Sequence, residues 1–182
     1  MHDEIVSHYY GCGLLIPDEL EGLTCLDIGC WAEHDVYFLS KLVGEKGKVY
    51  GVDMTKEQLE ISERHKEYQS KAFGYSKSNI VIINGYIEKL TEISDNWIYL
   101  IVSNCVVNLC PNKKDVFSEA FRVLKPGGEM YFSDVNSDRR IPENLLHDRV
   151  LHGECLIGAI YWNDILSLVK NGGIQKPKVG ER

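Results

Sequence analysis

Apolar residues recur along this chain in short blocks of two alternating kinds. The first block, "LTCLDIG" (Leu23–Gly29), is an apolar run closed by glycine and predicts a strand. "DVYFLSKLV" (Asp35–Val43) spaces its apolar positions as a helix does. "KVYGVD" (Lys48–Asp53) is a second strand after a "GEKG" turn. The polar stretch "TKEQLEISERHKEYQSKAFG" predicts a long helix, with Thr55 as its N-cap and Gly74 as its stop. "NIVIING" (Asn79–Gly85) and "IYLIVSN" (Ile98–Asn104) predict the third and fourth strands, the latter apolar enough to be buried on both faces. "KKDVFSEAFRVL" predicts a helix, "KPGG" a Pro-Gly turn, and "GEMYFSDV" the fifth strand. The remainder, "PENLLHDRVLHGECLIGAIYWNDILSLVKNGG", is expected to be mostly helical with a Gly-Gly stop.

Strand and helix in alternation predict an α/β fold: a Rossmann-like, mostly parallel sheet with helices on both faces. Ligands in such sheets bind at the carboxyl ends of the strands, near the switch in strand order. Four segments therefore matter most: Gly29–Asp35, Asp53–Thr55, Gly85–Glu88 and Ser103–Leu109.

Composition narrows the choice of partner. The 182 residues suit one domain, and a 44% hydrophobic share supports a core. A net charge of −7 argues against nucleic acid, whose binders carry a basic face. No run reaches the ~18 apolar residues of a membrane span. The acidic start "MHDEIVSHYY" lacks the pattern of a signal peptide, so the six cysteines are read as reduced thiols in the cytosol.

Asp53 ends the second strand 24 residues after Gly29, where an acid can accept hydrogen bonds from both hydroxyls of a ribose. That suits NAD or S-adenosylmethionine equally. The plainer reading of Asp53 is a helix N-terminal acid, worth about 0.3–1 kcal/mol. The glycine turn should decide between the cofactors, and it does not. A dinucleotide turn wants glycines at 29, 31 and 34, and a methyltransferase turn at 29, 31 and 33. Here Trp31, Glu33 and His34 stand in those places. The overall sheet pattern, with "KPGG" before the fifth strand, favours the methyltransferase class.

Six segments are more specific: "HYYGCGLLIP", "LVGEKGKVYGVDMTKEQ", "NGYIEKL", "VSNCVVNL", "FRVLKPGGEMYFSDV" and "LHGECLIGAIYW". Together they resemble the arsenite methyltransferase family, over about Ser7 to Ile165. The resemblance implies a class I methyltransferase core, residues 1–182 forming one methyltransferase domain that lacks the family's last strands. It implies methyl transfer from S-adenosylmethionine to trivalent arsenic held by Cys12, Cys105 and Cys155. Arsenic(III) is soft and thiophilic, so thiolates are its natural ligands. The implied cofactor contacts are Tyr10, Gly29, Asp53, Met54, Ile87, Glu88 and Asn104. Asp53 would hold the ribose, Met54 and Ile87 would sandwich the adenine beside Glu88, and Tyr10 would face the methionine end. The implied partners are arsenite or its thiol conjugates and a thiol reductant, with the chain a cytoplasmic monomer.

Three departures set an alternative beside that reading. Trp31 and Glu33 alter the cofactor turn, Tyr99 stands where the family has an aspartate, and the chain ends early. If Trp31 and Glu33 each cost ~2 kcal/mol, donor affinity would fall nearly a thousandfold. The alternative is a non-catalytic or fragmentary relative that binds trivalent arsenic through thiols and holds the donor weakly or not at all. For the remaining thiols, Cys25 reads as a core residue and Cys110 has no assigned role. A zinc site from Cys25-x4-Cys30 and Cys105-x4-Cys110 is disfavoured, because zinc pairs sit on short knuckles. A Cys–His hydrolase has no supporting motif.

Overall fold

The computed structural model describes residues 16–31, 34–145, 150–151, 156–175 and 178. Five strands form one sheet: β1 (Thr24–Ile28), β2 (Lys48–Asp53), β3 (Ile80–Asn84), β4 (Ile98–Asn104) and β5 (Leu124–Ser133). Their order is β3-β2-β1-β4-β5 and every pairing is parallel. The chain builds outward from β1 through β2 to β3, then crosses to the other side of β1 for β4 and β5. The switch in direction therefore lies between β1 and β4.

Four helices cover the sheet among the described residues: α1 (His34–Val43), α2 (Lys56–Phe73), α3 (Lys113–Val123) and α4 (Trp162–Asn171). Val36, Tyr37, Leu39 and Val43 of α1 and Leu59 of α2 join Cys25, Val49, Leu100 and Val102 in the core on one face. Val116, Phe117, Ala120 and Val123 of α3 and Ile165 and Val169 of α4 join Leu26, Ile28, Val52 and Ile101 on the other. Consecutive strand residues alternate between the two cores, as the pleat demands. Gly74 ends α2 with φ +81°, its N–H returning to Lys71, so the glycine stop holds. Thr55 opens α2 without a side-chain capping bond.

Two expectations need correction. "KPGG" is a bulge inside β5: Ile98 pairs Leu124, and Leu100 then pairs Glu129. Lys125–Gly128 arch out against the single residue Tyr99. Gly127 has φ +81°, and a Cβ on Gly128 would lie 3.0 Å from the carbonyl oxygen of Tyr99. Tyr99 thus sits at the surface, its ring 4.1 Å below the Lys125 ammonium. The expected run of late helices is also broken. Helix is present at Glu143–Leu145, as a 3-10 turn, and at residues 150–151, but Asn136–Ser137 (β6) pairs in parallel with Ile160–Tyr161 (β7) before helix resumes at Trp162. Ile160 and Tyr161 read as helix in isolation, but each meets a strand partner brought from 24 residues upstream.

Candidate functional site at the strand ends

The carboxyl ends of β1, β2 and β4 meet at the switch point. Gly29 follows β1 with φ +75°, and a Cβ on it would overlap the side chain of Val106. Glycine is required there twice over, by backbone angle and by space. The N–H groups of Gly29 and Cys30 both donate to the Val52 carbonyl, at 2.8 and 3.2 Å, which folds the turn over the end of β2.

Trp31 then adopts φ +46°, the left-handed conformation that a glycine would take. In it the Trp31 N–H donates to Asp53 Oδ2 at 3.0 Å. Thr55 N–H donates to Oδ1 of the same carboxylate at 2.8 Å. The left-handed strain of about 1–2 kcal/mol is offset by a bond to a charged acceptor worth ~1.5–3 kcal/mol. The turn is therefore kept despite its sequence.

Asp53 is 6% exposed and its two oxygens each accept one backbone N–H. Each oxygen keeps a lone pair, which is what a vicinal diol needs. Asn84 Nδ2 braces this corner through the carbonyls of Asp53 and Met54, at 3.1 and 3.2 Å. Met54 is 68% exposed, leaving its thioether free to lie on a flat ligand. Ile87 is buried in the core beside Val52 and Ile83. Glu88 lies near Cys110, whose thiol donates to the Val106 carbonyl at 3.6 Å.

On the other side of β1, Asn104 ends β4 and donates to Asp35 Oδ2 at 3.3 Å. Asp35 also meets His34 Nδ1 at 3.0 Å. Asp27, inside β1, completes a group of three acids with Asp35 and Asp53. Burial, then the charges of Asp35 and Asp53, push the Asp27 carboxyl well above the usual range. Such an acidic corner suits a ligand that carries positive charge. Neither Asp27 nor Asp35 figures in the sequence-based site. Their only signal is an acid in the apolar first strand and another in the first turn of the next helix.

Cys105 follows Asn104 with φ +55°, its N–H donating to Ser133 at 2.8 Å. It is disulfide-bonded, whereas Cys25, Cys30 and Cys110 are in no disulfide. The expectation of six reduced thiols is corrected for Cys105. A compartment argument speaks of the surrounding redox buffer, while a disulfide forms where the fold brings sulfurs together. Cys25 and Cys30 lie in the core on one face of the sheet and Cys110 on the other, so they cannot share a zinc ion. Tyr10, Cys12, Glu33 and Cys155 lie outside the described residues.

A family model described as a methyltransferase domain matches residues 19–173. The chain belongs to this methyltransferase domain family. Among its curated relatives, the human arsenite methyltransferase is 48% identical over 181 residues, spanning 98% of this chain and 48% of the relative. The arsenite methyltransferase of Aquipseudomonas alcaligenes is 48% identical over 183 residues, 100% of this chain and 52% of the relative. The methyltransferase domain thus spans about half the length of the curated relatives it matches. An arsenic(III) S-adenosylmethionine methyltransferase from Chlamydomonas reinhardtii superposes with a TM-score of 0.90 at 48% identity, over 95% of this chain and 58% of that one. A methyltransferase from Aquifex aeolicus, at 23% identity and a TM-score of 0.67, shares the fold.

Proposed function

We propose that this methyltransferase domain transfers a methyl group from S-adenosylmethionine to trivalent arsenic, with the thiolates of Cys12, Cys105 and Cys155 as arsenic ligands. One juxtaposition carries the reading: the Asp53 cradle and Cys105 stand at neighbouring strand ends, on either side of β1. With strands ~4.8 Å apart, about 10 Å separates β2 from β4, a span that one nucleoside-bearing ligand can bridge.

The described residues fit the donor. Gly29 and Trp31 shape a turn that a chain with a Cβ at 29 could not form, and Asp53 offers paired acceptors for a ribose. Met54 is exposed for contact with the adenine. Ile87 would contribute from the core, and the part-exposed Glu88 beside it would stand at the adenine's edge. Asn104 would complete the contacts among the described residues, and Tyr10, which lies outside them, would face the methionine end. When bound, the donor supplies an electrophilic methyl group on a sulfonium.

Three sulfurs around arsenic leave its lone pair free to form the arsenic–carbon bond, and the departing sulfur keeps the electrons of the broken bond. No proton moves, so no general base is needed, and the protein's part is alignment. Arsenic ends the step formally pentavalent. A thiol reductant returns two electrons to it and keeps Cys105 reduced. The proposal takes the chain as a single-domain monomer of the cytoplasm. In keeping with that, no helix among the described residues is long and apolar enough to cross a membrane.

The test is an incubation of the purified chain with arsenite, a thiol reductant and S-adenosylmethionine, followed by chromatographic separation of arsenic species. Methylated arsenic is expected with the native chain and none with Cys105→Ser. No methylated product at saturating donor would overturn the reading.

A further inference from the structure

Cys105 stands at the start of a loop, residues 105–110, whose other anchors come from distant parts of the chain. Its left-handed backbone, φ +55°, does not hold itself. Two consecutive residues, Ser133 at the end of β5 and Asp134 just after it, supply the hold. The carbonyl of Ser133 accepts the Cys105 N–H at 2.8 Å. The carboxylate of Asp134 accepts the Asn108 N–H through Oδ2 at 2.9 Å and the Val135 N–H through Oδ1 at 3.0 Å. Val107–Leu109 is a single turn of 3-10 helix, and its first N–H groups would otherwise be orphaned. Asp134 is thus the cap of that turn, placed 26 residues away in sequence from the Asn108 it binds.

The far end of the loop is tied as well. Lys113 Nζ donates to the carbonyls of Asn108 and Cys110, at 3.1 and 2.9 Å. Lys113 also faces Asp134, Glu88 and Cys110. Gly158 lies directly on the loop, since a Cβ there would overlap the Asn108 carbonyl. Gly158 is three residues beyond Cys155 in the chain. The loop that starts at one thiol is therefore the floor for the segment that follows another.

We propose that Asp134 is a positioning residue for the arsenic-binding thiol of Cys105, acting through the backbone of the 105–110 loop. This rests on the reading of Cys105 as an arsenic ligand. The carboxylate of Asp134 is spent on backbone N–H groups, those of Asn108 and Val135. Its cap fixes where β4 hands over to the 3-10 turn, and that fixes the direction in which Cys105 leaves the strand. The cofactor corner at Gly29, Asp53 and Asn84 shares none of these hydrogen bonds.

The test uses the reduced full chain and its Asp134→Asn, Asp134→Ala and Cys105→Ser variants. Arsenite is titrated by the near-ultraviolet absorbance of arsenic–thiolate bonds, S-adenosylmethionine by calorimetry, and stability by thermal melting. Asp134→Asn keeps one oxygen acceptor and should weaken arsenite binding about tenfold, the equivalent of ~1.4 kcal/mol. Asp134→Ala should weaken it further. Affinity for S-adenosylmethionine should stay within about twofold in Asp134→Asn, a split that general destabilisation would not give. Where Asp134→Ala fails to fold, Asp134→Asn decides. If Cys105→Ser loses arsenite and Asp134→Asn binds it as the native chain does, the positioning role is overturned and the thiol reading stands. A proportional loss of both ligands in Asp134→Asn also overturns it. If Cys105→Ser binds arsenite unchanged, the thiol reading fails and the inference falls with it.

Discussion

Trp31 and Gly29 sit two residues apart in one turn, both left-handed, with opposite needs. Gly29 has no room: its missing Cβ is the space that Val106 occupies. Trp31 is about half exposed, so its side chain meets no such limit and only its backbone is strained. Substitution should therefore act in opposite directions. Trp31→Gly should raise stability by about 1 kcal/mol, because glycine takes that angle freely and the N–H to Asp53 survives. It should not weaken S-adenosylmethionine. A lowered melting temperature would show that the indole contributes packing that outweighs the strain. Gly29→Ala should cost at least ~2 kcal/mol, combining left-handed strain with overpacking, and denaturant titration would measure it.

The legibility of this corner in the sequence follows from the same chemistry. Asp53 could be read because its distance from Gly29 is fixed by one strand–helix–strand unit. The retention of the turn could not, because a backbone N–H has no residue type, and Trp31 uses its N–H rather than its indole. Asp134 was hidden for a related reason: it caps a turn whose residues lie on another strand's loop.

Between elements, a single side chain carries much of the tie between α3 and the loop before β4. Arg122 Nη1 and Nη2 donate to the carbonyls of Ile93 and Leu90, at 3.0 and 2.8 Å. Its guanidinium also pairs with Glu119 and Asp95. Glu119 Oε2 in turn accepts the Leu90 N–H at 2.7 Å. Arg122→Ala should cost about 2–3 kcal/mol, since it strips a part-buried carboxylate and two carbonyls of their donor. Hydrogen exchange should show the loss first at residues 90–97.

The same strut has a pH signature. The hydrogen bond from Arg122, aided by the Leu90 N–H, holds the Glu119 carboxyl below its ordinary 4.5. A depressed carboxylate contributes its stability above the unfolded value, and that contribution fades as pH falls from about 4.5 through the lower folded value. In Glu119→Gln the loss of stability over that range should be shallower than in the native chain, as read by melts at stepped pH. Local pattern made the elements themselves readable, α2 best of all, with its glycine stop. It misjudged residues 160–161, where a two-residue parallel bridge overrode what the apolar spacing suggested. It also took "KPGG" for a turn, because a bulge is defined by the partner strand and not by the bulged one.

Taken whole, the molecule places its ligand corner where a β3-β2-β1-β4-β5 order requires it, and this much followed from element alternation alone. The sheet also sorts its sulfurs. Burial pushes the Cys25 thiol up to about 12, and burial with the Glu88 charge does the same for Cys110. Thiols so raised stay protonated and unreactive near neutrality. Brief iodoacetamide treatment of the folded chain at pH 8 should therefore leave Cys25 and Cys110 unlabelled, and denaturation should expose both. Labelling of either in the folded state, mapped by peptide mass, would contradict the burial on which this rests.

Because Cys25 and Cys110 belong to cores on opposite faces of one continuous sheet, no motion short of separating its strands can join them. A covalent Cys25–Cys110 link would therefore be a permanent record of a molecule that had once come apart. In a protein proposed to handle a thiophilic poison, that link would mark, on a non-reducing gel, the molecules whose strands had parted.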